Sequence, residues 1–550
     1  MRQTVPTIVA RVGAPWSEDA QDGRSIVVSW SDGVPRQVFS ALLVATGYYL
    51  GSRIGFLLTP HETPISTLWP PNAVLLAALL LAPLRMWWLL LLAVFPAHLL
   101  IQLPTGVPLA TASGWFISNS AEALLGAAIV RHFKKPEELF ETVSGVLAFL
   151  AFGVVFATLA SSFVDAAVVV TTGFGSGYWK LWTARLFSNM LADLTVAPTI
   201  IVLVLNGRQW LQRLTRSRLV EATLLVAALV VVSGLVFGLQ NPTIPALMYT
   251  PLPLIVWIVV RFGVCGLYPS LLVISIISIW DAMHGRGPFV LAPMYESVLG
   301  IQIFLSTIAL PMMLLAAVLA ERKAVEESLR QSRGRLIDAQ EQERRRIARE
   351  LHDDIGQQLT VLQLELDQLK QQSDEPLRHR LDKLLRQASS TSANARALSH
   401  GLHSTSLEFL GLVPALRGLC DTVTQETSIK VAFTEENVPS TMDPRTSLCL
   451  YRVAQEALSN IARHSQAHQA AVQLRRRGER IYLDIVDDGV GIPVEREHLG
   501  GLGLASMQER IGLAGGTFKL VSQPKHGTKI EATLPLTAPQ SASRRSTASQ

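Results

Sequence analysis

Cysteine is nearly absent. Cys265, Cys420 and Cys449 are the only 3 thiols in 550 residues, odd in number and scattered without metal-ligand spacing. That excludes a disulfide framework and a thiolate metal site. Charge is also scarce, at 17% of residues against 49% hydrophobic, and it is unevenly spread. From about Val38 to Ala320 the chain is mostly apolar, whereas from Glu321 onward Arg, Glu, Asp and Gln crowd the sequence. The net charge of +5 is modest, which argues against direct nucleic-acid binding and suits a membrane protein with basic loops. No apolar core stands near the start, so residues 1–37 are expected to be a cytoplasmic segment rather than a cleaved signal peptide. The length exceeds one compact core, so several domains are expected.

What is abundant is apolar runs long enough to span a bilayer. Ten are expected, at about 38–58, 67–84, 86–103, 109–130, 143–163, 181–205, 220–238, 245–260, 263–281 and 297–320. With the N-terminus inside, the cytoplasmic loops carry Arg85, then Arg131, Lys134 and Lys135, then Arg208, Arg213, Arg216 and Arg218, then Arg261. Arg286 is the main exception in the opposite loops, so the asymmetry follows the positive-inside rule and leaves the charged half in the cytoplasm. Within the spans Arg185, Asn189 and Asp193 share a helical face, Asn119 and Glu122 form a similar pair, and Arg53 sits near the end of the first. Such groups are costly in lipid. They either pair to hold the bundle together or line a polar pocket that receives a signal. A transporter is the rival reading of ten spans, but no internal repeat is visible.

Beyond the last span, residues 321–340 continue without proline into 341–360, EQERRRIARELHDDIGQQLT, which reads as one uninterrupted amphipathic helix. Ile347, Leu351, Ile355, Leu359, Leu362, Leu366 and Leu369 recur at mostly three- and four-residue steps. His352 stands at the edge of that seam, before Asp353 and Asp354. A second helix follows a turn at 373–376 and runs over about 377–403. Two such helices cannot bury both stripes alone, so a dimeric four-helix bundle is the economical solution.

The final 140 residues or so turn to mixed α/β. Residues 447–465 are expected to be a helix whose Leu450, Val453, Ala457, Leu458 and Ile461 point inward, while Glu456, Asn460, Arg463 and His464 share the opposite ridge. A carboxylate, an amide oxygen and cations on one ridge suit a magnesium–triphosphate site; an ordinary solvated face is the plain alternative. Strands at 470–477 and 480–486 lead into Asp487-Asp488-Gly489-Val490-Gly491, where glycines admit a ligand close to the backbone and a carboxylate can accept an exocyclic amine. Gly500-Gly501-Leu502-Gly503 precedes a helix at 504–513, a placement that favours phosphate. Gly527-Thr528 begins a last strand, 529–535.

In this order the motifs resemble the NarL-type sensor histidine kinases, the third dimerisation and phosphoacceptor subfamily. The string around His352 resembles their phosphoacceptor box, and about 409–536 resembles the histidine-kinase and gyrase-type ATP-binding domain. TLWPPNAVLLAALLL at 67–81, SNSAEALLGAAIV at 118–130 and NMLADLTVAPTI at 189–200 resemble, more loosely, the membrane-associated sensor domain of the first class. LEFLGLVPALRGL at 407–419 matches the family's junction, although Ser404 stands where the family often has proline.

The resemblance implies an ATP- and Mg²⁺-dependent protein-histidine kinase. The expected divisions are a cytoplasmic segment 1–37, an all-α polytopic sensor domain 38–320, a signalling helix 321–340 and a dimerisation and phosphotransfer hairpin 341–407. An α/β sandwich catalytic domain 408–537 and a disordered tail 538–550 follow. By resemblance His352 accepts the phosphoryl group and Asp353 orients its ring. Gln357, in the pattern His-Asp-three residues-Gln, orients a dephosphorylating water. Asn460 and Glu456 form the Mg²⁺ site, Arg463 and His464 approach phosphate, and Asp487 reads adenine in a pocket shaped by Gly489 and Gly491. Gly501 and Gly503 hinge the lid, and Thr528 sits at the adenine end. The implied partners are a second copy, a separate LuxR/NarL-type response regulator, the bilayer of a bacterial inner membrane, and a small-molecule signal or partner membrane protein. The alternative is a membrane receptor or transporter-like protein whose tail only binds nucleotide or scaffolds a partner.

Overall fold

The computed structural model describes residues 34–59, 66–239, 245–289, 294–372, 375–402, 405–492 and 502–536. Most of the expected segment 1–37, Gly501 and the expected tail 538–550 lie outside the described residues, as does the His352 side chain. The chain divides into two compact units, Met1–Glu327 and Ser328–Gln550.

The first unit is all-helical. Leucine, alanine and valine runs form α1 (Val34–Leu57), α2 (Pro70–Leu81), α3 (Trp87–Gln102) and α4 (Leu109–Phe133). Next come α5 (Val143–Ala148), a π-helical stretch Phe149–Phe156 and α6 (Ala157–Thr171), then α7 (Tyr178–Arg213) and α8 (Arg216–Gly238). The unit closes with α9 (Leu252–Phe262), α10 (Val264–Met283) and the start of α11 (Met294–Glu350). Gly106, Gly177 and Gly263 break the chain between helices at φ of 84°, 84° and 64°, angles a side chain rarely tolerates. A single apolar core, including Tyr48, Leu79, Phe149, Leu191, Tyr268 and Ala309, joins most of these helices.

Among the described residues, 6 helices are long and apolar enough to cross a membrane, so the expected count of ten spans is not supported. The reason is length and composition. α2 has 12 residues and α9 has 11, about 18 Å of helix against a hydrocarbon core of about 30 Å. α1 and α4 are longer but diluted by polar residues, including Ser118, Asn119, Ser120 and Glu122 on α4.

Polar groups in this unit meet across helices rather than along them. Glu122 accepts hydrogen bonds from Asn72 Nδ2 (3.1 Å), Asn189 Nδ2 (2.9 Å) and the Ser161 hydroxyl, and Asn72 Nδ2 also reaches Asn119 Oδ1 at 3.2 Å. Tyr48 and His98 form a second buried pair, Oη to Nδ1 at 3.0 Å. Arg53, expected among these groups, is exposed instead.

In the second unit α11 ends in a π-helical turn, Leu351–Ile355, before α12 (Gly356–Gln371). The helix expected to run uninterrupted over 341–360 therefore changes register at the HDD triplet. α13 (Glu375–Leu402) folds back on α12, and Ser399 Oγ donates to Ala348 O at 2.9 Å. Ile355, Leu362, Leu369, Leu384 and Leu398 of this hairpin are exposed in the single chain. α14 (Thr405–Leu410) and α15 (Leu412–Glu426) lead to β1 (Lys430–Glu436) and α16 (Pro444–Asn460). β2 (Gln469–Arg477), β3 (Arg480–Asp487), α17 (Leu502–Leu513), β4 (Thr517–Ser522) and β5 (Thr528–Pro535) complete it.

The five strands form one mixed sheet in the order β1-β2-β3-β5-β4, parallel only between β1 and β2. Alternating residues Val472, Leu474, Ile481, Leu483, Ile485, Ile530, Ala532 and Leu534 turn one face toward α15, α16 and α17 in a shared core. The expected α/β catalytic fold is present. β1 and β4 were not anticipated.

Candidate functional site

α16 starts at the Asp443 side chain, which accepts from Thr446 N at 3.0 Å, and has Pro444 in its first turn. Its inner residues Leu450, Val453, Ala454, Ala457 and Leu458 are buried, leaving Glu456 and Asn460 half-buried on the other side. The α-register stops at Asn460. Residues Ile461–Ser465 form a π-helical turn that ends at Gln466 in the left-handed region, with Arg463 and His464 exposed. The single ridge expected through 456, 460, 463 and 464 is thus bent after its second member.

The structure brings Gly503 of α17 against that ridge. A methyl group on Gly503 would collide with Glu456 Oε1 and lie 3.4 Å from Asn460 Nδ2. Here the need for glycine is a close approach of the α17 backbone to the carboxylate and amide.

A second cluster stands at one end of β3. Asp487 is buried, its Oδ1 accepts from Gly489 N at 2.9 Å, and burial holds its carboxyl above the usual range while that N–H pulls it back. Thr528 pairs with Asp487 across β5 and β3 and with Ser522 across β5 and β4, and its hydroxyl lies 3.0 Å from Ser522 Oγ. Gly491 and Gly527 take φ of 70° and 78°, and a methyl on Gly527 would strike Asp487 O. Asp488 takes a different part from its neighbour. Its Oδ1 accepts from His468 N (2.8 Å) and Gln469 N (2.9 Å), which holds its carboxyl below the usual range and ties the loop to β2.

His352 lies in the π-helical turn, Asp353 is exposed beside it, and Gln357 is exposed one turn on in α12. Among the described residues no group of three or more His, Cys, Asp or Glu could hold a metal. Any cation held by Glu456 and Asn460 would take its remaining ligands from phosphate oxygens and water, as Mg²⁺ commonly does.

Sequence reasoning missed a buried ion cluster beside this site. Glu341 of α11 accepts from Arg452 of α16 at both oxygens, from Nη2 at 2.6 Å and Nε at 3.1 Å, and lies 3.8 Å from Arg510 Nη1 of α17. Arg333 and Glu509 add an exposed contact at 3.9 Å, and Arg330 Nη2 donates to Gly512 O at 3.4 Å. Residues so distant in sequence leave no periodic trace; the only signal was a glutamate among arginines in EQERRR.

A profile described as MASE1 matches residues 40–323. The chain belongs to the MASE1 family. Behind that membrane sensor domain, residues 343–407 match a histidine kinase profile, and 446–538 match the histidine kinase-, DNA gyrase B- and HSP90-like ATPases.

The sensor histidine kinase MctS of Rhizobium johnstonii is 32% identical over 235 residues, 42% of this chain and 50% of that protein. The histidine-protein kinase/phosphatase DegS of Brevibacillus brevis is 29% identical over 37% of this chain and 53% of its own length. The chain thus spans about half the length of these curated relatives. The histidine kinase domain of the Erythrobacter litoralis EL346 blue-light activated kinase aligns over 33% of this chain and 94% of its own, with 19% identity and a TM-score of 0.23.

Proposed function

We propose that this protein is a membrane-bound sensor histidine kinase of a two-component system that autophosphorylates His352 from ATP. The phosphoryl group then passes to an aspartate of a separate LuxR/NarL-type response regulator. The observation that carries the reading is the convergence of Glu456, Asn460 and Gly503 in a unit that also holds the HDD turn.

ATP fits the residues present. The glycines at 489, 491, 503 and 527 let their loops approach Ser465, Gln523, Glu456 and Asp487 more closely than any side chain would allow, and Asp487, which accepts from Gly489 N at the sheet end, is the group that accepts the adenine amine. Bound Mg²⁺ supplies charge neutralisation on the phosphates. Asn460, with Glu456 beside it, is the protein's contribution to that ion, and the exposed Arg463 and His464 supply positive charge toward phosphate. Gly501 and Gly503 let the lid close over the nucleotide, which excludes water from the transfer. A neutral nitrogen of His352 attacks the γ-phosphorus, the bond from that phosphorus to the β,γ-bridging oxygen breaks and ADP leaves, while Asp353 holds the other ring nitrogen and fixes the tautomer. In-line placement then carries most of the catalysis. Gln357, one turn on from His352, orients a water for the reverse task of regulator dephosphorylation.

The exposed leucines of α12 and α13 call for a second copy and a four-helix bundle. Ten spans, the finer topology, would require α2 and α9 to cross as short helices with local thinning of the bilayer.

The test is phosphorylation of the full chain in detergent with Mg-ATP. The wild type acquires an acid-labile, alkali-stable phosphoryl group and His352→Gln acquires none. Equal labelling of the variant overturns the assignment.

A further inference from the structure

Arg185 is 6% exposed and Asp165 0% exposed, both inside the membrane unit. Arg185 is the eighth residue of α7, Trp115 the seventh of α4, and Asp165 the seventh from the end of α6. The Thr111 hydroxyl at the start of α4 bonds the Thr172 hydroxyl just past α6 at 2.9 Å, so all three residues occupy the same end of the bundle. They sit about 10 Å in from the helix ends.

Ala166 and Ala184, the chain neighbours of Asp165 and Arg185, pack with Trp115 in one apolar cluster, yet no ion pair closes between the two charged groups. Both Asp165 oxygens and Arg185 Nε lack a hydrogen-bond partner among the described residues, as do the Trp115 and Trp182 indole N–H groups. The Ser118 hydroxyl near Asp165 donates instead to Ser161 O at 3.1 Å. Glu122 does not compete for the arginine, because Asn72, Asn189 and Ser161 already satisfy it. Asp193 lies two turns deeper on α7, about 12 Å along the axis. The guanidinium lies over the Trp115 ring, 4.5 Å from its centre. A buried cation and a buried carboxylate, close but unjoined, are costly in an apolar interior unless something bridges them.

We infer that Arg185, Asp165 and Trp115 form a binding site for a small zwitterion, an amino-acid-like molecule. Its carboxylate lies on Arg185 and the free indole N–H groups, and its ammonium group on Asp165. A simple anion would face Asp165 unpaired, and a simple cation would face Arg185. Tyr295, at the start of α11, packs on the apolar cluster that contains Trp115 and Ala184, and α11 runs unbroken to Glu350. This deepens the sensor reading proposed above and rests on it only for the consequence of binding.

The test is direct binding to the full chain in detergent, read by calorimetry without ATP, so it does not depend on kinase activity. The probes are the twenty proteinogenic amino acids, with propionate and isopropylamine as the single-charge halves of one of them. At least one amino acid binds, the halves bind at least tenfold more weakly, and Arg185→Gln and Asp165→Asn each weaken binding at least tenfold. Trp115→Phe, which keeps the ring and loses the indole N–H, weakens it severalfold and serves if the charge variants do not fold. No binding by any amino acid overturns the proposal, as do halves that bind equally well. Unchanged affinity in all folded variants overturns it too, leaving Arg185 and Asp165 a structural pair.

Discussion

Glu341→Gln tests the buried clasp between α11 and the fold that carries the five-stranded sheet. The side chains of Glu341, Arg452 and Arg510 are 8%, 4% and 11% exposed, so water screens their charges little. Glutamine keeps the shape but removes the charge, and it turns an amide N–H₂ toward one guanidinium. Two opposite charges about 4 Å apart interact by about 4 kcal/mol at an effective dielectric of 20, and breaking a buried pair costs about 3–5 kcal/mol. The arginines can escape that cost by parting from α11 into water. The loss therefore appears as undocking of α16 and α17 from α11, not as unfolding of the sheet. Taking about 3 kcal/mol, the opening equilibrium rises on the order of a hundredfold. The exposed Arg333–Glu509 contact, worth at most about 1 kcal/mol, does not compensate. Hydrogen exchange of the full chain measures this at the amides of α17 and of residues 330–345. A change below about threefold in the variant would refute the energetic reading, as would equal acceleration across β2 and β3.

Asn460→Ala is expected to abolish autophosphorylation while the thermal unfolding midpoint stays within a few degrees, and retained labelling would remove Asn460 from the nucleotide site. Gly527→Ala forces a side chain into φ of 78° and against Asp487 O. It should cost at least about 2 kcal/mol by denaturant unfolding and weaken ATP binding measured by calorimetry. Burial pushes the thiols of Cys420 and Cys449 up to about 12 from an ordinary value near 9. The folded state then holds these protons more tightly than the unfolded chain, so both thiols leave stability flat below pH 9 and lower it as pH rises from there toward 12. Iodoacetamide at pH 8 should modify neither one until the domain is unfolded, as mass spectrometry of the peptides would show.

Local pattern determined much of this molecule. Apolar runs marked the membrane helices, the three- and four-residue steps marked α12 and α13, and Gly478 at φ of 59° marked the turn between β2 and β3. Asp487, Gly489, Gly491 and Thr528 were legible as motifs because a close approach to backbone demands glycine within a few residues of the strand that positions it. β1 and β4 were not legible, since β1 becomes a strand by pairing in parallel with β2 across α16 and its own sequence alternates weakly. The π-helical turns at Leu351–Ile355 and Ile461–Ser465 were also hidden, because one residue of register shift leaves the apolar spacing almost intact.

Apolar length alone overcounted the spans, because a run of 12 apolar residues reads the same in a protein core as in lipid. Periodicity assigned Asn119, Glu122, Asn189, Arg185 and Asp193 to helix faces, but only packing joined Glu122 to Asn72 and Asn189 and left Arg185 and Asp165 buried without a bond between them. The Glu341–Arg452 pair is 111 residues apart in the chain. Propensity and spacing act over one or two turns, so the sequence by itself determined most of the helices, three of the five strands and the chemistry they carry. Which charges meet, and which are left without a partner, was decided only by the tertiary fold, because burial and partnership are properties of neighbours distant in the chain.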